Sequence, residues 1–387
     1  MQKFIPFGRP SVGREEIKFI TKVIQSKWIG SGPITEEFER KFKNYKKSKY
    51  AISVNSCTAA LHLSLIYCGV KRNDEIITTP MTFASTINAI SLVDAEPILA
   101  DIDPYTFNIS PEKIEKKITK RTKAILIVHL AGLPCELDKI IKIAKKYKLK
   151  LIEDCAHAIE SKYNNKHVGN FGDTGCFSFY STKNLTTGEG GMLICNNSKL
   201  YNKIRIARLH GLSKDAWKRY LPESVKNTKK FEHYDVSEIG FKYNMIDINA
   251  SMGIIQLKKI ERNWLKRKKI FNLYRVELKN LPIYFQKCNL KNIRAYHLLL
   301  IVIDKKRTNK KRDDLISFLR KNKIGVGVNY RTVTDMSVYR KKYRWSDKTC
   351  INSKYLGDNT LSLPLYPQIK VKEVNYICGK IKQFFKI

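Results

Sequence analysis

Three short segments bring together residue types that can do chemistry. In Val54-Asn-Ser-Cys-Thr-Ala-Ala-Leu-His-Leu, small polar residues at 55–58 stand at a strand-to-helix junction. Free N–H groups and the helix dipole at such a junction stabilise an anion such as phosphate. A plain N-cap by Ser56 or Thr58 would use the same residues. In Leu149-Lys-Leu-Ile-Glu-Asp-Cys-Ala-His-Ala, Asp154 falls just past the carboxyl end of an apolar strand, where ligand sites of open α/β sheets lie. A carboxylate there can pair with a buried cationic nitrogen, or it can cap the next helix. His157, three residues on, projects to the same side or serves as a satisfied structural histidine; no second and third ligand is spaced to make a metal site. In Gly175-Cys-Phe-Ser-Phe-Tyr-Ser-Thr-Lys-Asn-Leu-Thr-Thr-Gly-Glu-Gly-Gly, one lysine, Lys183, follows an apolar strand among hydroxyls and glycines. A lysine whose pKa is lowered by burial or a nearby cation can form a Schiff base. A surface turn lysine is the alternative that so basic a composition favours. The order of the three, anion pocket, strand-end acid and loop lysine, matches what pyridoxal phosphate requires: a phosphate cradle, an acid for its ring nitrogen and an amine for its aldehyde.

The elements that must position these residues alternate β-branched runs with amphipathic stretches, which argues for a parallel sheet with crossover helices. Strands are expected at 50–54, 75–79, 97–101, 124–128, 150–153, 175–179 and 191–195. Near-continuous apolar strands of this kind are covered on both faces. Between them, Leu137, Ile140, Ile141, Ala144 and Tyr147 keep the helical repeat over 136–147. After Asp247 the pattern changes to a long helical tract from about 246 to 281. A strand (296–304), a helix (311–322), a turn at Gly325 and Gly327 and a last helix (371–385) then make an α+β unit. The expected division is a large domain over 1–250, carrying the N-terminal segment on its substrate side, and a smaller C-terminal one over 251–387.

Composition excludes several classes. Hydrophobic residues make up 43% of the 387, so the chain is not disordered. The longest apolar run, Leu298 to Ile303, is far shorter than the roughly 18 residues of a membrane span. The N-terminus has no apolar core of a signal peptide. Nine scattered cysteines without a C-x-x-C pair read as reduced thiols of a cytoplasmic protein. The net charge of +38 invites a nucleic-acid reading. The basic residues, however, are spread along the whole chain. Short clusters such as Lys43-Asn-Tyr-Lys-Lys and Lys266-Arg-Lys-Lys lie on helical stretches, as a solvated basic surface would. Specific nucleic-acid binding is not expected.

Several longer motifs carry a resemblance to a known family. They are Ile5-Pro-Phe-Gly-Arg-Pro, Trp28-Ile-Gly-Ser-Gly-Pro, Thr79-Pro-Met-Thr-Phe-Ala-Ser-Thr, Val128-His-Leu-Ala-Gly-Leu-Pro, Glu153-Asp-Cys-Ala-His-Ala, Ser178 through Gly191, Gly240-Phe-Lys-Tyr-Asn-Met-Ile-Asp-Ile-Asn-Ala and Leu361-Ser-Leu-Pro-Leu-Tyr-Pro. In this order and over nearly the whole chain, the sequence resembles the DegT/DnrJ/StrS sugar aminotransferases. The resemblance implies the fold-type I architecture of pyridoxal-phosphate transferases: a mixed, mostly parallel seven-stranded sheet with helices on both faces, plus a smaller C-terminal α+β domain. It implies Lys183 as the Schiff-base lysine and proton shuttle, and Asp154 as the acid on the pyridine nitrogen. By the same resemblance His157 stands near the ring hydroxyl, Phe83 stacks on the ring, and Cys57, Thr58 and Ser178 form the phosphate cradle. Asn244 matches an asparagine that reaches the phosphate from a neighbouring subunit, which implies a homodimer with shared sites. Core packing for Phe83 and a helix cap for Asn244 are the alternatives that need no ligand.

The implied activity is transfer of an amino group from L-glutamate, giving 2-oxoglutarate, to a nucleotide-diphosphate-linked keto sugar for surface polysaccharide or lipopolysaccharide biosynthesis. Asn329, Tyr330 and Arg331, in Gly325-Val-Gly-Val-Asn-Tyr-Arg, are expected to border the sugar pocket, although this loop lacks the commoner His before the aromatic. Cys57 also departs from the small residue usual in the cradle. The N-terminal segment, His210-Gly-Leu-Ser-Lys-Asp-Ala and the Asn329 loop look most like enzymes that aminate the C4 keto group of UDP-linked sugars, such as the 4-amino-arabinose enzyme of lipid A modification. Amination at C3 and a non-enzymatic polyanion-binding role are the alternatives. Related dehydratases carry histidine where Lys183 stands, so the lysine argues against them.

Overall fold

A computed structural model describes residues 3–213, 235–289 and 291–386. Lys214, Asp215 and Ala216 of the His210 motif lie outside the described residues. Seven strands form one sheet: β1 (Tyr50–Val54), β2 (Glu75–Thr78), β3 (Glu96–Leu99), β4 (Thr122–Val128), β5 (Lys150–Asp154), β6 (Thr174–Ser178) and β7 (Gly191–Cys195). Their order across the sheet is β1-β7-β6-β5-β4-β2-β3. Pairings are parallel from β3 to β6, and β7 runs antiparallel to both β1 and β6. All seven expected strands are present, two with the expected bounds (50–54 and 191–195) and five displaced by one or two residues at an end.

Alternation along these apolar strands feeds two cores. Ile77, Ile125, Ile127 and Leu151 face one layer, with Phe38 and Phe42 of α2 (Pro33–Lys46) and Leu137 and Ile140 of α5 (Leu137–Lys146). Ile76, Leu126, Val128 and Ile152 face the other, against α3 (Cys57–Tyr67) and α4 (Ala84–Ser91). The N-terminal α1 (Arg14–Gln25) packs on the 31-residue α6 (Asp247–Glu277). Ala250, Ile254 and Ile260 of α6 join the large sheet's core, whereas Ile270, Phe271 and Tyr274 join a second one. That second core is built on β8 (Ile283–Phe285), β9 (Leu299–Ile303) and β10 (Thr360–Leu363), an antiparallel sheet backed by α7 (Arg312–Lys321) and α8 (Val371–Phe385). Ile5 also belongs to it, bridging to Ile324.

Two expectations need correction. The basic clusters at 43–47 and 266–269 are not wholly solvated. Lys46 is completely buried, donating to the Ile159 carbonyl at 2.7 Å with its amine over the Phe177 ring. Arg267, also buried, pairs with Glu160. The strand expected to begin at Tyr296 begins at Leu299, so residues 296–298 are free to cross toward the large sheet. Among the described residues no helix is long and apolar enough to cross a membrane.

Candidate active site

The carboxyl ends of the parallel strands open onto a cavity of about 530 Å³ between the two cores. Lys183, Asp154, His157, Cys57, Thr58, Phe83, Ser178, Asn329 and Tyr330 all line it, so nine of the residues singled out in the sequence meet in one place. Phe7 and Gly8 from the first motif and Leu363 and Leu365 from the last complete its walls.

Each side chain is placed by an identifiable device. β1 ends at Val54 and Ser56 caps α3, its hydroxyl accepting the Ala59 N–H at 3.1 Å. The cap leaves the Cys57 and Thr58 N–H groups at the helix N-terminus facing the cavity, the arrangement that holds a phosphate. Gly191 makes the approach possible: a Cβ there would lie 2.6 Å from the Ser56 carbonyl carbon and 2.7 Å from the Cys57 nitrogen. Burial pushes the Cys57 thiol well above its usual range, so it stays protonated beside the cradle.

Glu153 and Asp154 are successive residues of β5 and point to opposite faces. Glu153 is a brace. Burial works against its charge, but His129 at 3.1 Å and the N–H groups of Gly169, Phe171 and Gly172 hold its carboxyl below the usual range. Its neighbours His129 and Cys155 lie close enough to suggest a metal cluster. His129 Nδ1, however, already accepts the Cys135 N–H at 3.1 Å, and the Glu153 oxygens are taken. Asp154 is different. Among the described residues it accepts only from the Ala156 N–H at 3.0 Å and the Thr86 hydroxyl at 3.1 Å, and none of them pairs a cation with it. Burial raises its pKa, opposed by those hydrogen bonds and by the charge of Lys183. A buried carboxylate so placed is suited to a protonated ring nitrogen.

Lys183 sits in the loop after β6, half-buried, its backbone N–H turned back onto the Tyr180 carbonyl at 2.9 Å. Loss of hydration lowers its pKa to about 8, with Asp154 pulling the other way. His157 is buried and neutral: desolvation, then the charge of Lys183, hold it well below the usual histidine range. Its ring lies nearly parallel to Tyr330, 5.9 Å between centroids, and Phe83 approaches the same tyrosine at 6.0 Å.

Two expected residues lie elsewhere. Arg331 is exposed and reaches toward Asp335 at 4.0 Å, because the turn that brings Tyr330 onto His157 points the next side chain to solvent. Asn244 is outside the cavity of its own chain: its amide donates to Ser31 at 2.6 Å, while its oxygen is buried without a partner among the described residues. It does not cap α6, whose N-cap is Ile246. Several cavity residues were missed from sequence, among them Tyr180, Glu189 and His297. His297 fell inside a stretch read as strand, and the sole available signal was a polar residue interrupting that apolar run.

The model of the DegT/DnrJ/EryC1/StrS aminotransferase family matches residues 10–382. The chain belongs to this family. Among its relatives are an uncharacterised protein of Methanocaldococcus jannaschii, 45% identical over 99% of this chain and 98% of that one, and the spore coat polysaccharide biosynthesis protein SpsC of Bacillus subtilis, 37% identical over 99% and 97%. Among solved structures, Spr1654 of Streptococcus pneumoniae, named as a sugar aminotransferase and known in PLP and PMP forms, superposes with a TM-score of 0.90. It is 28% identical, the match covering 99% of this chain and 99% of the PLP form. The chain is therefore a pyridoxal-phosphate-dependent aminotransferase of fold type I. The cradle at α3, the acid without a cation at Asp154 and the amine at Lys183 fit that cofactor.

Proposed function

We propose that this aminotransferase moves an amino group from L-glutamate to the C4 keto group of a nucleotide-diphosphate-linked sugar destined for a surface polysaccharide or lipopolysaccharide. The observation that carries the reading is that Lys183 and Asp154 line one cavity, Asp154 without an ion pair among the described residues, opposite a helix N-terminus. The likeness to a spore coat polysaccharide protein and to a protein named as a sugar aminotransferase supports the sugar acceptor.

In this reading the α3 N-terminus, Thr58 and Ser178 bind the cofactor phosphate, Asp154 holds a proton on the ring nitrogen, and Phe83 covers one face of the ring. When bound, the cofactor supplies an electron sink that makes the donor's Cα proton acidic. Lys183, with its pKa near 8, can take that proton and return it at the cofactor carbon on the other side of the donor's nitrogen without leaving the cavity. His157 stays neutral throughout, which keeps a second positive charge away from Asp154.

The active unit is a homodimer. Phe83 is 61% exposed and Tyr180 48% exposed on the cavity side. Asn244, outside its own cavity with an unused buried oxygen, is available to a second copy. A cytoplasmic location agrees with nine unpaired thiols.

The test is an absorbance spectrum of the purified protein before and after L-glutamate. A band near ~410–420 nm moving to ~330 nm marks the first half-reaction. Restoration of the first band by a UDP-linked 4-keto sugar, but not by 2-oxo acids other than 2-oxoglutarate, marks the second. No band after addition of pyridoxal phosphate sinks the proposal.

A further inference from the structure

One wall of the cavity is made of two imidazoles and a phenol, and the network behind them decides which nitrogen carries each proton. His157 Nδ1 accepts the Ala131 N–H at 3.3 Å. A neutral ring then has its proton on Nε2 and donates it to the Tyr330 hydroxyl oxygen, 3.0 Å away. The hydroxyl's own proton is left free for another acceptor.

His297 is held the other way round. The Asn184 amide nitrogen faces two acceptors, a Glu160 carboxylate oxygen at 2.9 Å and the Ala295 carbonyl at 2.9 Å. Its amide oxygen must therefore be the atom that meets His297 Nδ1 at 3.1 Å. Oxygen accepts, so Nδ1 holds the proton and Nε2 keeps a lone pair. The Ala295 carbonyl can only accept, which fixes this orientation even though burial pushes the Glu160 carboxyl up against the pull of its partner Arg267. His297 is only 8% exposed, lines the cavity, and its Nε2 has no hydrogen bond to any described residue. Burial, with the charges of Lys183 and Arg267, keeps the ring neutral.

The two groups flank one imidazole: Tyr330 is hydrogen-bonded to His157, and the His297 ring lies 4.5 Å from it on another side. We propose that the Tyr330 hydroxyl proton and His297 Nε2 form a donor–acceptor pair that recognises one hydroxyl group of the sugar substrate beside Lys183, with Asn184 and Glu160 as the residues that position it. A hydroxyl both donates and accepts, so it satisfies both partners. A carboxylate would set negative charge against the His297 lone pair, and an ammonium would leave the Tyr330 proton without an acceptor. The proposal rests on the sugar-acceptor reading above.

The experiment pairs two substitutions with two half-reactions. In His297→Asn the amide nitrogen replaces Nδ1, so the contact to Asn184 and the fold are kept while the acceptor is lost. In His297→Gln the amide oxygen reaches toward the Nε2 position. With L-glutamate, the spectral step of His297→Asn should stay within about threefold of wild type, and with a UDP-linked 4-keto-6-deoxyhexose its kcat/KM should fall about 30-fold, the cost of an unpaired buried hydroxyl. His297→Gln should recover part of that loss. Independently, nitrogen-15 spectra of the histidine-labelled, cofactor-free protein should assign the signal missing from His297→Asn to an Nδ1–H tautomer. The signal missing from a His157→Asn variant should be Nε2–H. An Nε2–H tautomer at His297, equal losses in both half-reactions, or no loss with the sugar overturns the proposal. Wild-type protein that accepts glutamate yet aminates no keto sugar overturns the sugar reading instead, and the hydroxyl assignment with it.

Discussion

Capture of pyridoxal phosphate by the cofactor-free protein should rise with pH around a midpoint near 8, far below that of an ordinary lysine. The reacting species is the neutral amine, and dehydration in the cavity lowers the Lys183 pKa from 10.5 to about 8. At pH 7 about a tenth of such amines are neutral, against about one in three thousand for an unperturbed lysine, so capture gains about 300-fold from burial alone. Asp154 opposes burial: its negative charge favours the ammonium. Asp154→Asn should therefore move the midpoint further down, even as it weakens retention of the cofactor by removing the partner of the ring nitrogen. The assay is stopped-flow absorbance near ~415 nm at a series of pH values, reading the initial rate and not the final occupancy. A wild-type rate that climbs tenfold per pH unit up to pH 10, or an Asp154→Asn midpoint above that of the wild type, would refute the electrostatic account of Lys183.

Other perturbations follow from the same geometry. Lys183→Ala removes a loop side chain, so the protein should stay folded by circular dichroism while losing covalent capture and turnover. Gly191→Ala places a methyl group 2.6 Å from the Ser56 carbonyl carbon. It should weaken cofactor binding about 10- to 100-fold, as expected for displaced charge-assisted hydrogen bonds, in a fluorescence titration. Glu160→Ala leaves Arg267 buried without its partner and should cost about 3–5 kcal/mol in a urea titration. If Asn244 serves the neighbouring subunit, Lys183→Ala and Asn244→Ala proteins, each inactive, should regain about a quarter of wild-type turnover when refolded together, because half of the random dimers keep one intact site. Absence of rescue would place Asn244 outside the active site.

The large sheet was legible because strands covered on both faces must be apolar throughout, and such runs stand out between amphipathic helices. Lys183 and Asp154 were legible for a similar reason. One is a lone cation among small residues, and the other is an acid at the end of an apolar strand. What separates Asp154 from Glu153 is only the alternation of β5, which turns one carboxylate into the cavity and gives the other three backbone N–H groups. His297 was hidden because its chemistry comes from Asn184, 113 positions earlier in the chain, and from a strand that starts three residues later than its apolar pattern suggests. Lys46 and Arg267 were hidden by composition. In a chain with 73 lysines and arginines, a run of basic residues carries little information about which member turns inward.

That same excess of cations clarifies what the cavity has to achieve. Among the described residues that line it, Lys183 is the one lysine or arginine, beside two carboxylates (Asp154 and Glu189), two histidines (His157 and His297), one cysteine (Cys57) and two tyrosines (Tyr180 and Tyr330). The role proposed for Lys183 requires an amine able both to hold and to give up its proton near neutral pH. If cations crowded the cavity as they crowd the rest of the chain, their repulsion would add to burial and Lys183 would never hold a proton. If the cavity were wet, Lys183 would never release one. Burial on one side and Asp154 on the other bring the amine near 8, and that balance survives because no other lysine or arginine of the described residues lines the cavity. The positive surface can speed the arrival of a polyanionic substrate, but the chemistry depends on its exclusion from the strand ends.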